Sequence, residues 1–510
     1  MAVDSERETF HINKVLVSSI EDFLTAQTYR PAITEAYTKI QLTQFSQLSS
    51  LTTTNIRQGK TPVFSSEGAK CLKSSQTRSI LLDEYGYETV NPSAEENRGL
   101  VKLENEDLVI TRQGAGTIGR ISIFLSLEEY FITDSLFIVR LDKKKVDPCY
   151  VAAFFRTDIG QRLIEKGVYG STGQLNLSSE HIKKLPVSIL NFDCQKYIGN
   201  KIRQAEMLRG WATRLEGEFN KALQNEFPDA FENKPSGKKY SRATPSDINY
   251  TLNPGAFDEE RIRVQRYLIK NKGVKFSTVA QISGESTTAY TSETTYIGLN
   301  SISSNSCQLS PSTIENEDVK ATCRLLTEGP VIAKLRPYLN KVSYIPQWLK
   351  GSVGSTELMC IEPKSDLTAW YLYGVLKSEA TLKQIRPVAT GATHPRIDKH
   401  DLNEVIIPVL AEQESLGLLL EKSQKAYFES SRLIETAKLL VESIIEGKVT
   451  ESEFVAAQQA LENGNNTKDK AIMSKLTEKG YALTDAKPLF LDLEALYELL
   501  NEAQQDMEQY

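Results

Sequence analysis

The sequence predicts an α+β chain built as a tandem pseudo-repeat. Two α/β globules are each followed by a long helix, the two helices pair as an antiparallel coiled coil, and a helical, acidic C-terminal extension closes the chain. Three observations predict this. One strand–loop pattern, Val109-Ile-Thr-Arg-Gln-Gly-Ala-Gly-Thr-Ile-Gly-Arg-Ile, returns about 220 residues later as Val331-Ile-Ala-Lys-Leu-Arg-Pro-Tyr-Leu-Asn-Lys-Val. A second stretch, Val168-Tyr-Gly-Ser-Thr-Gly-Gln-Leu-Asn-Leu, runs on to Ile182 and Leu185-Pro-Val. It is matched, after a one-residue shift that superposes the glycines, by Val388-Ala-Thr-Gly-Ala-Thr-His-Pro-Arg-Ile, Leu402 and Val405-Ile-Ile. Each copy then enters a long stripe of apolar positions at helical spacing. Self-similarity on this scale sets the architecture before any local reading.

The first globule takes residues 1–192. An amphipathic helical stretch is expected at its start (Val15, Ile20, Phe23, Leu24). Glu106–Arg112 and Arg120–Leu125 read as two strands joined by a glycine loop, and Cys149 to Ile164 reads as one helix. Residues 193–235 hold the first long helix and a linker. Apolar positions at Ile198, Ile202, Ala205, Leu208, Ala212, Leu215, Phe219 and Ala222 give a helix of about 32 residues, or ~48 Å at the standard rise. Pro228 and Lys234-Pro-Ser-Gly-Lys-Lys end it.

The second globule spans 236–410, with the equivalent strand pair at 331–345 and the equivalent helix at Ala369–Ile385. The second long helix, within 411–447, carries a seam of alternating steps of three and four: Leu416, Leu419, Ser423, Ala426, Ser430, Leu433, Ala437, Leu440 and Ile444. Several seam residues are small, which permits close approach. The first long helix is the simplest partner, antiparallel because a globule lies between the two. The plainer alternative lays each helix on its own globule.

Length suggests about three domains. Hydrophobic residues at 40% and charged residues at 25% are ordinary for soluble material. No apolar run approaches the ~18 residues a membrane span needs. The N-terminus lacks the basic start and apolar core of a signal peptide, so a cytoplasmic protein is expected. Six scattered cysteines read as reduced thiols, and four histidines without ligand spacing argue against a zinc site. Taken as a total, the net charge of −6 opposes polyanion binding. Its distribution removes the objection: residues 451–510 carry 12 acidic and 5 basic side chains, leaving 54 acidic and 55 basic in the repeated body. Local patches, not pI, set attraction to phosphates.

Several motifs read better as plain structure. Gly114-Ala-Gly116-Thr-Ile-Gly119 spells a dinucleotide turn, but such a turn opens a helix, and the β-branched Arg120-Ile-Ser-Ile-Phe follows it. Pro228-Asp-Ala-Phe-Glu232-Asn-Lys234 resembles a nuclease carboxylate motif only in spelling, since it ends a helix and is too tightly spaced to converge on one ion. There is no Asn/Asp-Pro-Pro-Tyr/Phe for transfer of a methyl group to an exocyclic amine, no phosphate-cradling G-x-x-x-x-G-K-S/T and no recognisable nucleophile setting. The chain therefore carries no metal, cofactor or catalytic machinery of its own.

A binder remains, and the repeated loops say where it binds. Arg112 and Arg120 correspond to Lys334 and Lys341, with Arg336 in the second loop; Ser171, Thr172 and Gln174 correspond to Thr393, His394 and Arg396. Glycine-rich polar loops let a backbone approach a polyanion, and Arg, Gln and Asn make bidentate contacts to base edges. Turn residues and surface charge are the plain reading; recurrence in both globules favours the functional one.

The order globule–helix–globule–helix, the strand–loop Asp107-Leu-Val-Ile-Thr-Arg-Gln-Gly-Ala-Gly-Thr-Ile-Gly-Arg, the early Ile56-Arg57-Gln-Gly-Lys60-Thr-Pro and the close Ile406-Ile-Pro-Val-Leu-Ala-Glu-Gln413 resemble the specificity (S) subunit of type I restriction-modification enzymes over residues 35–447. The first junction, Val187-Ser-Ile-Leu-Asn-Phe-Asp-Cys-Gln195, departs from that family's Pro-Leu-Pro-Pro…Glu-Gln, and residues 451–510 extend past its usual end. The resemblance implies a target-recognition domain in each globule, one per half of a bipartite, asymmetric double-stranded DNA site. It implies two helices acting as a ruler, about one turn of B-DNA (~34 Å) apart. It also implies docking of two methyltransferase subunits that bind S-adenosylmethionine and flip adenine out of the duplex, with restriction/translocase subunits where present. Arg57 and Lys60 join the DNA-contact set on this ground. The rival readings are a subunit of another methyltransferase-based phage-defence system and a two-lobed coiled-coil scaffold. The extension is expected to dock on a partner subunit or to cover a basic groove.

Overall fold

The computed structural model describes residues 12–17, 20, 25–114, 116–170, 175–233, 244–245, 248, 251–319, 322–364 and 367–509. It divides into two compact units, residues 1–207 with 430–502 (unit 1) and residues 208–429 with 503–510 (unit 2). The division falls inside both long helices.

In unit 1, helix α1 (Pro31–Gln41) starts on the proline that N1 positions favour and buries Ile33, Ala36 and Ile40. Upstream, Val15 and Ile20 lie outside any helix, and Ile20 is exposed; Phe23 and Leu24 fall outside the described residues. The helix expected there is therefore not formed around Val15 and Ile20, where a short isolated amphipathic stretch is costly to nucleate. Phe45–Gln47 pairs antiparallel with Pro186–Ser188. The central sheet has four antiparallel strands in the order Arg57–Gln58, Leu136–Val139, Leu108–Thr111, Ile121–Ile123. A second sheet of five strands packs its Leu72, Val101, Tyr130 and Ile132 against Val109, Leu136 and Ile138.

The stretch read as one helix is two, α2 (Pro148–Arg156) and α3 (Asp158–Glu165). Thr157 between them is extended, and its hydroxyl accepts the Gly160 N–H at 3.1 Å. Gly160 permits the sharp corner, because a Cβ there would lie 2.2 Å from the Phe154 carbonyl oxygen. Helix α4 (Ser179–Lys184) is capped by Ser178.

Between the units' sheets in sequence run the long helix α5 (Phe192–Glu226) and the single turn α6 (Pro228–Phe231). Unit 2 repeats the plan with α7 (Glu259–Lys270), the one-turn α8 (Phe276–Val279) and a four-stranded antiparallel sheet. Its strand order is Ala280–Ser283, Leu358–Pro363, Gly329–Ala333, Val342–Ile345. The registers coincide: Phe137 faces Ile110 in unit 1, and Met359 faces Ile332 in unit 2, both members shifted by 222 residues. The second helical stretch is also broken, into α9 (Ala369–Lys377) and α10 (Glu379–Ile385), with Ser378 as the extended cap. Helix α11 (Lys399–Asn403) stands where α4 does.

Helix α12 (Gln413–Ile445) is the second long helix. The glutamine at each junction is structural. Gln195 accepts the Asp147 N–H at 3.0 Å, and Gln413 accepts the Thr368 N–H at 3.0 Å, so each fastens a long helix to the start of its globule's helix pair. The seam of α12 is buried from Ser423 to Leu440. Its small residues bring backbones together. The Ser430 hydroxyl donates to the Ala205 carbonyl at 2.7 Å within unit 1, and the Ser423 hydroxyl to the Ala212 carbonyl at 2.9 Å within unit 2. Rising numbers on one helix meet falling numbers on the other, so the pair is antiparallel.

The acidic extension forms α13 (Glu451–Glu462), α14 (Thr467–Met473), a short hairpin and α15 (Leu493–Gln509). It packs on α5 of its own chain. Asp469 is buried and receives Lys201 Nζ at 2.7 and 2.8 Å, the Tyr197 hydroxyl at 2.6 Å and the Tyr497 hydroxyl at 2.5 Å. Lys196 pairs with Glu462 at the rim, and the Tyr197 ring packs at a tilt against Phe454.

Candidate nucleic-acid interface

The loop Gly114–Gly119 connects two antiparallel strands, closed by Thr111 N–H to the Arg120 carbonyl at 2.9 Å and Gly119 N–H to the Thr111 carbonyl at 2.8 Å. Glycines 114, 116 and 119 all hold positive φ. No helix starts here, so the backbone amides are not aligned as a dinucleotide turn requires. In unit 2 the equivalent loop uses side-chain-bearing residues: Arg336 (φ 49°) and Asn340 (φ 50°) bracket a Pro337–Leu339 turn.

Each unit brings its two sequence motifs together through the same backbone contact. In unit 1 the Leu177 N–H donates to the Arg112 carbonyl at 2.9 Å, and Gln113 bridges Asn176. In unit 2 the Ile397 N–H donates to the Lys334 carbonyl at 3.1 Å, and Leu335 bridges Arg396. Arg112 and Lys334 are anchored alike on the other side, their N–H groups donating to Ser135 and Glu357 carbonyls, each at 2.8 Å. Segments 65 residues apart in one unit and 63 in the other thus form one surface.

The predicted side chains divide by what they already hold. Arg112 Nη1 donates to Gln58 Oε1 at 2.9 Å and Nη2 to Gln113 Oε1 at 2.7 Å, which fixes its fork beside exposed Arg57 on the edge strand. Gln58 and Gln113 are positioning residues that the repeat did not single out. Ser171, Thr172 and Gln174 lie outside the described residues. Lys60 is turned onto the Glu96 and Arg98 carbonyls at 3.0 and 2.8 Å, so it secures a turn. Arg120 belongs to a separate basic group. Burial first, then the Arg78 charge, hold its guanidinium below the ordinary value. Nearby Arg156 is spent on the Ser79 and Ile121 carbonyls at 2.7 and 2.5 Å.

In unit 2, Thr393 and His394 are exposed on the loop joined to Lys334. Arg396 is fastened to Glu357 by a fork of 2.9–3.3 Å contacts. Lys341 Nζ donates to the Ile302 carbonyl at 2.5 Å. Arg336 donates its N–H to the Pro395 carbonyl at 2.7 Å, tying the two loops, and exposed Tyr338 and Leu339 form the tip beside it. The chemistry on offer is a set of preset cationic forks and amides on two loop clusters, suited to phosphates and base edges.

Among the described residues no group of three His, Cys, Asp or Glu is placed to hold a metal, and no helix is long and apolar enough to cross a membrane. The Pro228–Glu232 stretch ends in carbonyls that receive Arg263 and Lys383, as a helix terminus would.

No protein-family model and no curated protein matches the chain. Solved structures similar to it include three. One is a type I restriction-modification system S subunit from M. genitalium: 12% identity, TM-score 0.40, 79% of this chain and 94% of that one. The second comes from work on complex assembly and conformational transition of the type I R-M system: 11% identity, TM-score 0.28, 80% and 98%. The third is the HsdS subunit from Thermoanaerobacter tengcongensis: 12% identity, TM-score 0.27, 80% and 97%.

Proposed function

We propose that this chain is the sequence-specificity subunit of a type I restriction-modification complex. In this reading it performs no chemistry. One unit reads each half of an asymmetric, bipartite duplex site, and the long helices dock adenine methyltransferase subunits, which hold the S-adenosylmethionine. Restriction subunits join where the system has them. The observation that carries the reading is the duplicated joint: one backbone hydrogen-bond pattern unites a basic strand–loop with a second polar loop in each unit, while the side chains differ. Equal frames with different side chains suit two different half-sites. Arg57, Arg112, Lys334, Arg336, Thr393 and His394 are the contacts this reading favours, together with Ser171, Thr172 and Gln174 of the second sequence motif. Arg120 and Lys60 take supporting places, and Lys341 and Arg396 serve after releasing Ile302 and Glu357.

The test is a domain exchange. Replacing residues 1–192 by the first globule of another S subunit, and expressing the chimaera with a cognate methyltransferase, changes one half of the methylated sequence and leaves the other. An unchanged methylation pattern refutes the reading. Duplex binding by the complex also weakens linearly on a log–log salt plot, and neutralising one phosphate-contacting Arg lowers the slope by about 1.

A further inference from the structure

The hairpin loop of unit 2 is held in a conformation that its residues seldom take. Arg336 and Asn340 are both left-handed without being glycine, which persists only where the surroundings fix it. They do so here. The Arg336 N–H is bound to Pro395, and the Asn340 side-chain amide donates to the Lys377 carbonyl at 2.8 Å. Lys377 Nζ in turn holds the Ser303 and Val342 carbonyls at 2.9 and 3.0 Å. The fixed loop borders a cavity of about 320 Å³, at the small end of pockets that enclose organic ligands. Tyr296, Leu299 and Leu339 supply a flat aromatic and apolar lining, and Arg336, Glu317 and Asn300 supply polar groups. Arg336 Nε is buried and, among the described residues, has no hydrogen-bond partner.

We propose that this cavity is a site for a single guanine base. Guanine alone offers two adjacent acceptors, O6 and N7, to a guanidinium fork and two adjacent donors, N1–H and N2–H, to a carboxylate. Arg336 supplies the fork and Glu317 the carboxylate, while Tyr296 and the leucines cover the ring face. Adenine places an amine where guanine has O6, and a pyrimidine has no N7, so both are refused. A base inside a cavity has left its stack. Its source is an extruded guanine of a bound duplex, which rests on the function proposed above, or a free guanine nucleotide, which does not.

The experiment titrates the full chain with guanosine and adenosine monophosphates by calorimetry. It then compares a duplex bearing one bulged guanine with the fully paired duplex. Guanosine monophosphate binds at least tenfold tighter than adenosine monophosphate. R336Q and E317Q each lose about tenfold for the guanine nucleotide, the scale of one bidentate base contact. Glu317 is exposed, so E317Q tests the site without disturbing the strained loop. Equal binding of the two nucleotides, or variants indistinguishable from the parent, overturns the site. Tighter binding of the bulged guanine assigns the duplex as source; no such gain, with the nucleotide preference kept, assigns the free nucleotide. A chain that selects the guanine nucleotide yet holds no duplex refutes the DNA-reading function and leaves the site standing.

Discussion

Replacing Asp469 by Asn removes the only charge facing Lys201 in the hydrogen bonds described, while keeping the side chain's shape. Both side chains are nearly inaccessible, at 2% for Lys201 and 1% for Asp469, so water does not substitute for the lost partner. Breaking one half of a buried pair costs about 3–5 kcal/mol, because the remaining charge stays desolvated. At roughly 2–4 °C per kcal/mol for a unit of this size, the transition of unit 1 falls by about 6–20 °C. Calorimetry of the full chain reads it, and limited proteolysis reads whether residues 451–509 come away from α5. The double variant K201M/D469L removes both charges and replaces them by apolar volume, so it recovers most of the loss. Recovery is incomplete, since the buried Tyr197 hydroxyl has lost its acceptor, a cost of about 1–3 kcal/mol. Two results would refute the reasoning: a D469N melt within 1 °C of the parent, on the order of no energetic effect, or a double variant as damaged as the single one.

Acid should weaken unit 1 for a related reason. Burial acts to raise the Asp469 carboxyl, but the Lys201 charge and the hydrogen bonds from Lys201, Tyr197 and Tyr497 outweigh it and hold the group below 3.8. Glu106 is likewise held below 4.5: burial opposes, and hydrogen bonds and charges from Lys143 and Arg203 prevail. A depressed carboxylate stabilises above its unfolded value and loses that contribution as pH falls through the folded one, so melts of unit 1 should decline below about pH 4.5; a D469N chain losing as much stability in acid as the parent contradicts this. Q195A and Q413A each strand a junction N–H and should cost about 1–3 kcal/mol in denaturant unfolding, whereas a cost near zero would mean that the junction glutamines fasten nothing. G160A forces a Cβ against the Phe154 carbonyl and should destabilise unit 1 by about 1–3 kcal/mol, and an unchanged unfolding midpoint would show that the α2–α3 corner can open.

Much of the frame was legible because it is written in local periods. The β-branched run after Gly119 excluded a dinucleotide turn, and the steps of three and four from Leu416 to Ile444 marked α12 with its small, close-packing seam. The helix breaks at Thr157 and Ser378 were not legible. The apolar spacing runs on through both, and the corner appears only when the second helix of each pair is seen to leave the sheet and pack on another helix, α3 on α1 and α10 on α7. The candidate contacts were legible as types, not as tasks. Lys60 looks like any basic loop residue until the Glu96 and Arg98 carbonyls are seen to hold it. Gln58 and Gln113, which set the Arg112 fork, carry no sequence signal beyond polarity.

The sequence by itself determined the two strand–loop copies, the two long helices and the polar loops that follow each copy, because side-chain periodicity reports which face of an element is apolar over a few residues. Only the tertiary structure decided what meets what across long stretches of chain. It placed Leu177 against Arg112 and Ile397 against Lys334, turned Arg336 into a left-handed loop beside a cavity, and buried Lys201 under Asp469, 268 residues away. On α5 Lys201 falls within the apolar stripe, three residues after Ile198 and four before Ala205, so the helical period marks it for burial. The carboxylate that compensates it comes from a segment distant in the chain, and no local pattern encodes that partner.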